Sequence, residues 1–282
     1  MFALLLAFAT AICWAVSTVS GAHVSRGMNP YRALAWNMGL GMVILVPFVA
    51  VSLSHVPVGS EWLWLLVAGA ATVLAFLCDY QGVHYGPVGL IGAIASTEGA
   101  VAAMLAIAFG ERPSPLLLFA IPVLTAGLLM VMLPAEFTHL HASNWPRAMV
   151  LASLAAVFFG VSVYAAGRIA ASLPVVWAIV PGRAIGTVAL VLPMAAAARL
   201  SLPRTLVPWA VVTAACDLLG FAFFGLAARG SIVVAAIVSA QFGVIAVVFA
   251  AARLHEHLTR RQSLGVALVG LGVALVAGAS SL

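Results

Sequence analysis

Charged residues are scarce in this sequence. They make up 7% of its 282 residues, and lysine is absent, so that the net charge of +5 comes from arginine and the acidic residues alone. A soluble domain is about 25% charged and about 45–50% apolar, whereas this chain is 65% hydrophobic with a mean hydropathy of +1.22. The composition therefore excludes a soluble globular protein and predicts an integral membrane protein. We expect the arginines to anchor helix ends at lipid headgroups, and we expect no nucleic-acid partner.

The signatures of catalysis and of metal binding are also missing. The sequence has no Gly-x-Ser-x-Gly, no HExxH and no P-loop. Its three cysteines, Cys13, Cys78 and Cys216, lie inside apolar runs without the spacing of a metal site. We therefore predict that the protein is not an enzyme, and that it has neither a cofactor nor a metal centre.

Long apolar runs fill the rest of the chain. A membrane helix needs about 20 mostly apolar residues, and backbone groups in lipid must be satisfied within their own segment, which favours helices. The first run lacks a basic start and is interpreted as a span rather than a signal peptide. The sequence thus predicts an all-α polytopic membrane protein with ten transmembrane helices, at residues 2–22, 30–52, 61–81, 87–109, 115–133, 146–166, 173–197, 206–227, 231–252 and 262–280.

An internal repeat divides these helices into two sets of five. A shift of 145 residues places Glu111 on Glu256 and Gly127 on Gly272 without a gap, and it also matches Trp14 with Phe159. A shift of 138 matches "CDYQG" (78–82) with "CDLLG" (216–220). We predict one repeat over 1–140 and a second over 146–282. Because five is odd, the second repeat must cross the membrane in the opposite sense, an arrangement that places a transport site near the midplane.

A short motif ends the fourth predicted helix of the first repeat. Gly110-Glu111-Arg112 is followed by a turn and an apolar helix, and the second repeat carries the glycine-spaced run "SLGVALVGLGVAL" at 263–275. In these features each half resembles an EamA-type domain of the drug/metabolite transporter superfamily. The resemblance covers essentially the whole chain. It implies ten helices around a central cavity, and a cargo among amino acids, sugars, nucleotide-sugars, cations and drugs.

The resemblance also leads to an expectation for function. We expect a secondary transporter that moves a small polar or amphiphilic, amino-acid-like metabolite by alternating access, in the direction of efflux. Two alternatives are a carrier for organic cations or drugs, and a non-transporting, lipid-handling membrane protein. The expected location is a cell membrane, the bacterial inner membrane, as a multi-pass protein. Its expected partners are a small-molecule substrate and the lipid bilayer, and either a monomer or a homodimer fits the sequence.

Ionisable residues deep in a membrane span are costly and mark functional sites by default. Glu98, Asp217 and Arg183 lie near the middle of their predicted spans and form the first candidate set. Glu98 and Asp217 are also the candidates for proton coupling. The competing interpretation is structural, with Arg183 paired to one of the carboxylates and clamping helices together.

A second set of candidates lies nearer span ends or is uncharged. Asp79 and Tyr80 come late in the third span, and Gln241 is the uncharged repeat partner of Glu98. Trp14 and Tyr164 lie in the first helix of their respective halves, where an aromatic face could hold a cation or simply pack.

The orientation of the chain is left open by two conflicting signals. Three arginines fall on the side of the predicted termini and eight on the other side. The positive-inside rule then puts both termini outside the cytoplasm. The family resemblance implies the reverse.

Overall fold

The computed structural model of the protein describes residues 2–52, 57–86, 88–132, 145–245 and 259–279. Within these ranges the chain forms helices and turns and contains no β-strand. Glu256, the repeat partner of Glu111, lies outside the described residues.

Six helices make up the described part of the first half. They are α1 (Phe2–Gly27), α2 (Pro30–Ser52), α3 (Glu61–Tyr85), α4 (Val88–Ala95), α5 (Glu98–Ala108) and α6 (Pro115–Met132). The second half begins with α7 (Trp145–Ser172), α8 (Val176–Gly186), a π-helical segment (Thr187–Val191) and α9 (Leu192–Ala196). It continues through a 3-10 turn (Arg204–Leu206) to α10 (Val207–Ala228), α11 (Ile232–Ser239) and α12 (Arg260–Ala279).

Helices of the described chain overlap every predicted span, although several predicted ends are wrong. Six helical stretches are long and apolar enough to cross a membrane by themselves. The spans predicted to stop at 22, 81 and 166 continue to Gly27, Tyr85 and Ser172. These extensions carry polar residues such as Ser25, which is buried at 1% exposure, so packing extends helices that hydropathy alone would end.

Two of the predicted spans are broken near their middle. The hydroxyl groups of Ser96 and Thr97 donate to the carbonyls of Gly92 and Ile94, both at 2.7 Å, and the turn they form separates α4 from α5. In the second half the Ser239 hydroxyl donates to the Ala236 carbonyl at 3.1 Å where α11 ends. Side chains that bond to the preceding turn compete with continued helix. The break leaves Glu98 in the first turn of α5.

The first and third helices of opposite halves pack as antiparallel pairs. Along α1 and α10, Ser17 donates to the Thr213 carbonyl at 3.2 Å, and Gly27 lies against Leu206. Residue numbers therefore rise along one helix as they fall along the other. The pair α3 and α7 behaves in the same way, with Thr72 hydrogen-bonded to Ser162 at 2.6 Å.

Glycines bring α6 and α12 into backbone contact. A Cβ on Gly127 would lie 2.9 Å from the Gly265 carbonyl oxygen and 2.9 Å from the Val269 nitrogen. A Cβ on Gly272 would overlap Leu124. The contacts run antiparallel, and small residues at such positions allow membrane helices to approach closely.

The packing corrects one feature of the predicted repeat. Trp14 of α1 packs on Gly220 of α10, and Phe159, matched to Trp14 at a shift of 145, packs on Phe76 of α3 at a ring distance of 4.9 Å. Equivalent contacts in two related halves involve equivalent residues. Phe76 therefore corresponds to Gly220, a shift of 144 (220 minus 76) rather than 138.

A second pair of contacts gives the same shift. Ala3 approaches Gly230 in one helix pair, and Ala148 approaches Gly86 in the other. Ala148 and Ala3, in the first helices of the two halves, are again 145 residues apart. Gly230 and Gly86, which follow the third helices, are 144 apart (230 minus 86). These contact-based shifts differ by more than a helical turn from the 138 that matches "CDYQG" with "CDLLG", so the packing does not bring Asp79 and Asp217 to equivalent positions.

Candidate functional site

A narrow cavity of about 60 Å³ lies between the two halves. It has room for a few water molecules. Residues from α1, α3, α7 and α10 and from both broken spans line it: Trp14, Ser17, Thr18, Gly21, Ala22, Ser25, Phe76, Asp79, Tyr80, Val83, Gly92, Ala95, Glu98, Phe159, Val163, Asp217, Phe221 and Phe242. Five of the predicted site residues, Trp14, Asp79, Tyr80, Glu98 and Asp217, are among them.

Glu98 enters the cavity from the break between α4 and α5. It is 4% exposed, and within the described residues it has neither a hydrogen bond nor an ion pair. Gly160 of α7 lies against its backbone, with a Cβ there only 3.0 Å from the Glu98 carbonyl oxygen. This close approach fixes the start of α5 against the second half. The Glu98 carboxyl lines the same cavity as Asp79 and Asp217.

Asp217 lines the cavity with its charge already paired. Its carboxylate forms an ion pair with Arg183 of α8, and the two side chains are 4% and 1% exposed. The Arg183 guanidinium also donates to the Met38 sulfur at 3.4 Å. It lies 5.9 Å from the centre of the Phe76 ring. Arg183 is not among the residues that line the cavity, so the pair joins α8 to α10 behind the cavity wall.

Asp79 and Tyr80 supply the wall contributed by α3. Asp79 is half-buried and Tyr80 is 6% exposed. The Tyr80 ring packs edge-on against Phe76 at 6.1 Å, and its backbone carbonyl accepts a hydrogen bond from Ser25 at 3.3 Å. A Cβ on Gly21 would lie 3.1 Å from the Tyr80 hydroxyl. A larger residue at position 21 would therefore crowd the Tyr80 side chain.

An aromatic cluster closes the cavity toward the start of α1. The Trp14 ring lies 5.3 Å from Phe221, 5.9 Å from Phe224 and 6.2 Å from Phe242. Trp14 packs on Gly220, where a side chain would overlap the indole. Its indole nitrogen is buried without a hydrogen-bond acceptor. From this cluster the cavity runs along α1 toward Ser25.

Two predicted site residues lie elsewhere. Tyr164 stacks on Phe109 at 5.4 Å and meets Trp64 edge-on at 5.6 Å, and it is not among the residues that line the cavity. Gln241 is buried, donates its amide to the Ile237 carbonyl at 3.0 Å and leaves its own side-chain oxygen without a donor. Neither residue forms part of the central site.

Sequence reasoning missed the aromatic walls at Phe76, Phe159, Phe221 and Phe242. Phe159 could have been predicted from the sequence, because the repeat matches it with Trp14. Phe76 lies one helical turn before Tyr80, on the same face of α3. Nothing comparable in the sequence marks Phe221 or Phe242 among the many apolar residues around them.

Comparison with known proteins shows the family of the chain. The model of the EamA-like transporter family matches residues 1–133 and again residues 146–278. The chain belongs to the EamA-like transporter family. EamA-like membership makes it a multi-pass membrane transporter, with the lipid bilayer around it and a small-molecule substrate.

A solved structure titled "Crystal structure of protein" has the same fold as this EamA-like chain. The two superimpose with a TM-score of 0.74 at 17% sequence identity, over 97% of this chain and 95% of the other. At that identity the likeness concerns the fold alone. No curated protein matches the chain.

Proposed function

We propose that the protein is a secondary transporter that carries a small organic cation with an apolar body across the membrane by alternating access. The observation that carries this proposal is the charge of the cavity. Asp79, Glu98 and Asp217 line it, and among the described residues no basic side chain does. Only one of these carboxyls is paired with a cation within the described chain, through Arg183. A positively charged cargo would supply the missing counter-charge.

The aromatic side chains around the cavity suit such a cargo. The faces of tryptophan, tyrosine and phenylalanine attract cations, and the attraction grows where water is excluded. Trp14 and Tyr80 lie in the same cavity as the carboxyls. An amino-acid-like cargo, expected from the resemblance, also needs a partner for its own carboxylate. Arg183 would be that partner, but it is occupied by Asp217.

The alternating-access part of the proposal assumes ten membrane spans in two inverted repeats over 1–140 and 146–282. Antiparallel packing supports it in two places, between α1 and α10 and between α6 and α12. The first helix of each half packs on the third helix of the other half, and this reciprocal packing supports a two-fold relation between the halves. A narrow, internal cavity is consistent with a conformation that must widen to admit cargo.

Proton coupling is the second part of the proposal, and Glu98 is its best candidate. A carboxyl that is removed from water and has no cationic partner favours its neutral form. Cargo and proton would then compete for the same group, so that cargo release on one side follows proton uptake. Asp217 is less suited to this role because Arg183 stabilises its charge.

Transport by purified protein in liposomes tests both parts. We expect uptake of an aromatic organic cation such as ethidium, driven by a pH gradient, and no uptake of neutral amino acids. Glu98→Gln should abolish the pH dependence. Glu61→Gln should retain it, because Glu61 bonds to the Val58 backbone at an exposed position. Uptake of amino acids without cations would overturn the assignment of cargo.

Direction is tested separately. Efflux is proposed from the resemblance. Liposomes loaded with the organic cation should release it when a proton gradient is imposed with its acidic side opposite the cargo. A reporter fused to either terminus, active on one side of the membrane only, fixes the orientation. Cytoplasmic termini would mean that the family pattern overrides the bias of eight arginines to three.

A further inference from the structure

A second groove opens at the face of the protein where α1 ends and α2 begins. It has a volume of about 550 Å³ and is lined by Asn29, Tyr31, Arg32, Pro193, Met194, Ala197, Ala198, Arg199 and Ser201. The groove is separate from the transport cavity, with which it shares no lining residue. The start of α2 forms one wall, and the end of α9 with the turn after it forms the other.

Two arginines give this groove its charge. Arg32 is half-buried and donates to the Ser201 hydroxyl at 2.7 Å, while Arg199 is exposed. Among the residues that the structure describes, no acidic side chain lines the groove, and neither arginine has a carboxylate partner there. Two cations thus line one concave surface without a counter-ion from the described part of the chain.

The local backbone adds to the attraction for an anion. α2 begins at Pro30, and the Asn29 side chain accepts from the Tyr31 backbone at 3.0 Å. A helix start carries partial positive charge and favours negative groups. On the other wall, α9 ends at Ala196, and Ala198 in the turn after it has a φ of +52°. That turn directs Arg199 back toward the helix, where its backbone N–H bonds the Met194 carbonyl at 2.8 Å.

Exposed aromatic and apolar side chains flank the groove. Tyr31 is 46% exposed at the start of α2, and tyrosine is common at membrane interfaces. Leu192 of α9 is 56% exposed. Basic pockets between membrane helices bind anionic lipid headgroups, so arginines beside exposed apolar side chains favour an anionic lipid as the occupant.

We propose that this groove binds the phosphate group of an anionic lipid, held between the guanidinium groups of Arg32 and Arg199. Arg32 would bind the phosphate from the helix side, with its position fixed by Ser201. Arg199 would close over it from the exposed turn. The chemistry required is a phosphate ester, and free inorganic phosphate shares it.

Native mass spectrometry of the purified protein tests the site with phosphatidylglycerol and phosphatidylcholine as probes. We expect the wild type to retain phosphatidylglycerol in preference to phosphatidylcholine. Removing one arginine contact should weaken retention about fivefold, and removing both about 30-fold. The test variants are Arg199→Gln, which changes an exposed residue and leaves the fold intact, and the double variant Arg32→Gln/Arg199→Gln.

The matched control is Arg26→Gln/Arg204→Gln. It removes the same charge from the same face, at two exposed residues that do not line the groove, and should keep the preference. The proposal is overturned if the wild type retains both lipids equally, if Arg199→Gln retains as much phosphatidylglycerol as the wild type, or if the control loses as much as the test pair. A thermal shift with inorganic phosphate separates the sources. Stabilisation by phosphatidylglycerol alone supports the lipid site, and stabilisation by phosphate alone overturns it in favour of a free-anion site.

Discussion

Removing either partner of the Arg183–Asp217 ion pair should destabilise the protein, and the two losses should differ. Both side chains are almost completely buried, at 1% and 4% exposure. Breaking a buried pair from one side costs about 3–5 kcal/mol, because it leaves an uncompensated charge. The stability losses of the two single variants should differ because the two side chains have different surroundings.

Asp217→Asn should fall at the upper end of that range. The remaining Arg183 would have only a neutral amide and the Met38 sulfur, a weak acceptor at 3.4 Å. Its stem packs on Gly41, where an added Cβ would lie 3.0 Å from the Arg183 Cδ, and at 1% exposure the side chain has little access to water. Arg183→Gln should cost about 1–3 kcal/mol, because the Asp217 carboxylate lines the cavity and water can reach it there.

A double-mutant cycle of Arg183→Gln, Asp217→Asn and the two together measures the coupling. Arg183→Met/Asp217→Leu replaces the pair with apolar groups of similar size and should recover most of the loss. The assay is unfolding in mixed micelles with a denaturing detergent, followed by tryptophan fluorescence. Glu61→Gln is the control and should stay within about 0.5 kcal/mol of the wild type. The reasoning fails if both single variants lose the same small amount, or if the double variant loses their sum.

Three further predictions concern the cavity and the helix contacts. Glu98→Gln should fold normally and flatten the pH profile of transport measured in liposomes, because an amide cannot titrate as a carboxyl does; an unchanged profile would remove Glu98 from coupling. Gly127→Ala should lower stability by about 1–3 kcal/mol, since the added methyl overlaps the backbone of α12, whereas Gly270→Ala, with nothing within 4 Å, should change the melting temperature little. Glu111→Gln should cost about 1 kcal/mol, because the Glu111 carboxylate accepts from the Ser231 hydroxyl and from the Val233 backbone at 3.3 Å at the start of α11; adding Ser231→Ala should cost about 1 kcal/mol more, because that hydroxyl also caps α11 by accepting from the Val234 N–H at 3.1 Å.

Hydropathy predicted where the helices are, but not where they break. A sum of residue hydrophobicities is high throughout 87–109, and the break there contains neither proline nor glycine. It is made by the hydroxyls of Ser96 and Thr97, which bond to carbonyls of the preceding turn. Whether such a hydroxyl breaks a helix or merely bonds along it depends on neighbouring helices. Thr72 makes the same kind of bond, to Ala68 at 2.7 Å, inside an unbroken helix.

The cost of burying charge predicted Glu98, Asp217 and Arg183 as the first candidates, of which the two carboxyls line the cavity and Arg183 does not. Asp79, near a predicted span end, belongs to the second set of candidates, and arguments from symmetry were less successful. Glu98, Asp79 and Asp217 all line the cavity, because a membrane protein has few other places for an ionisable side chain. Gln241 was selected as the partner of Glu98, but it lies in the turn after α11 and its amide bonds back to that helix. Tyr164 was selected by its helix alone. A residue's position along a helix does not fix the side of the helix on which it lies.

The register of 144 between the third helices changes the interpretation of the three carboxyls in the cavity. At a shift of 144, Asp79 corresponds to Phe223 and Asp217 to Val73, and Glu98 already has the uncharged Gln241 as its partner. No carboxyl of the cavity is therefore repeated in the other half. A two-fold scaffold makes its two end states equal in packing, but this site is asymmetric, with two of its three carboxyls on the first repeat. A cation held there would experience different surroundings when the cavity opens to one side and to the other. In the proposed carrier this asymmetry would set how tightly cargo binds in each state, whereas the proton gradient, through its coupling to cargo, would set the direction of net movement.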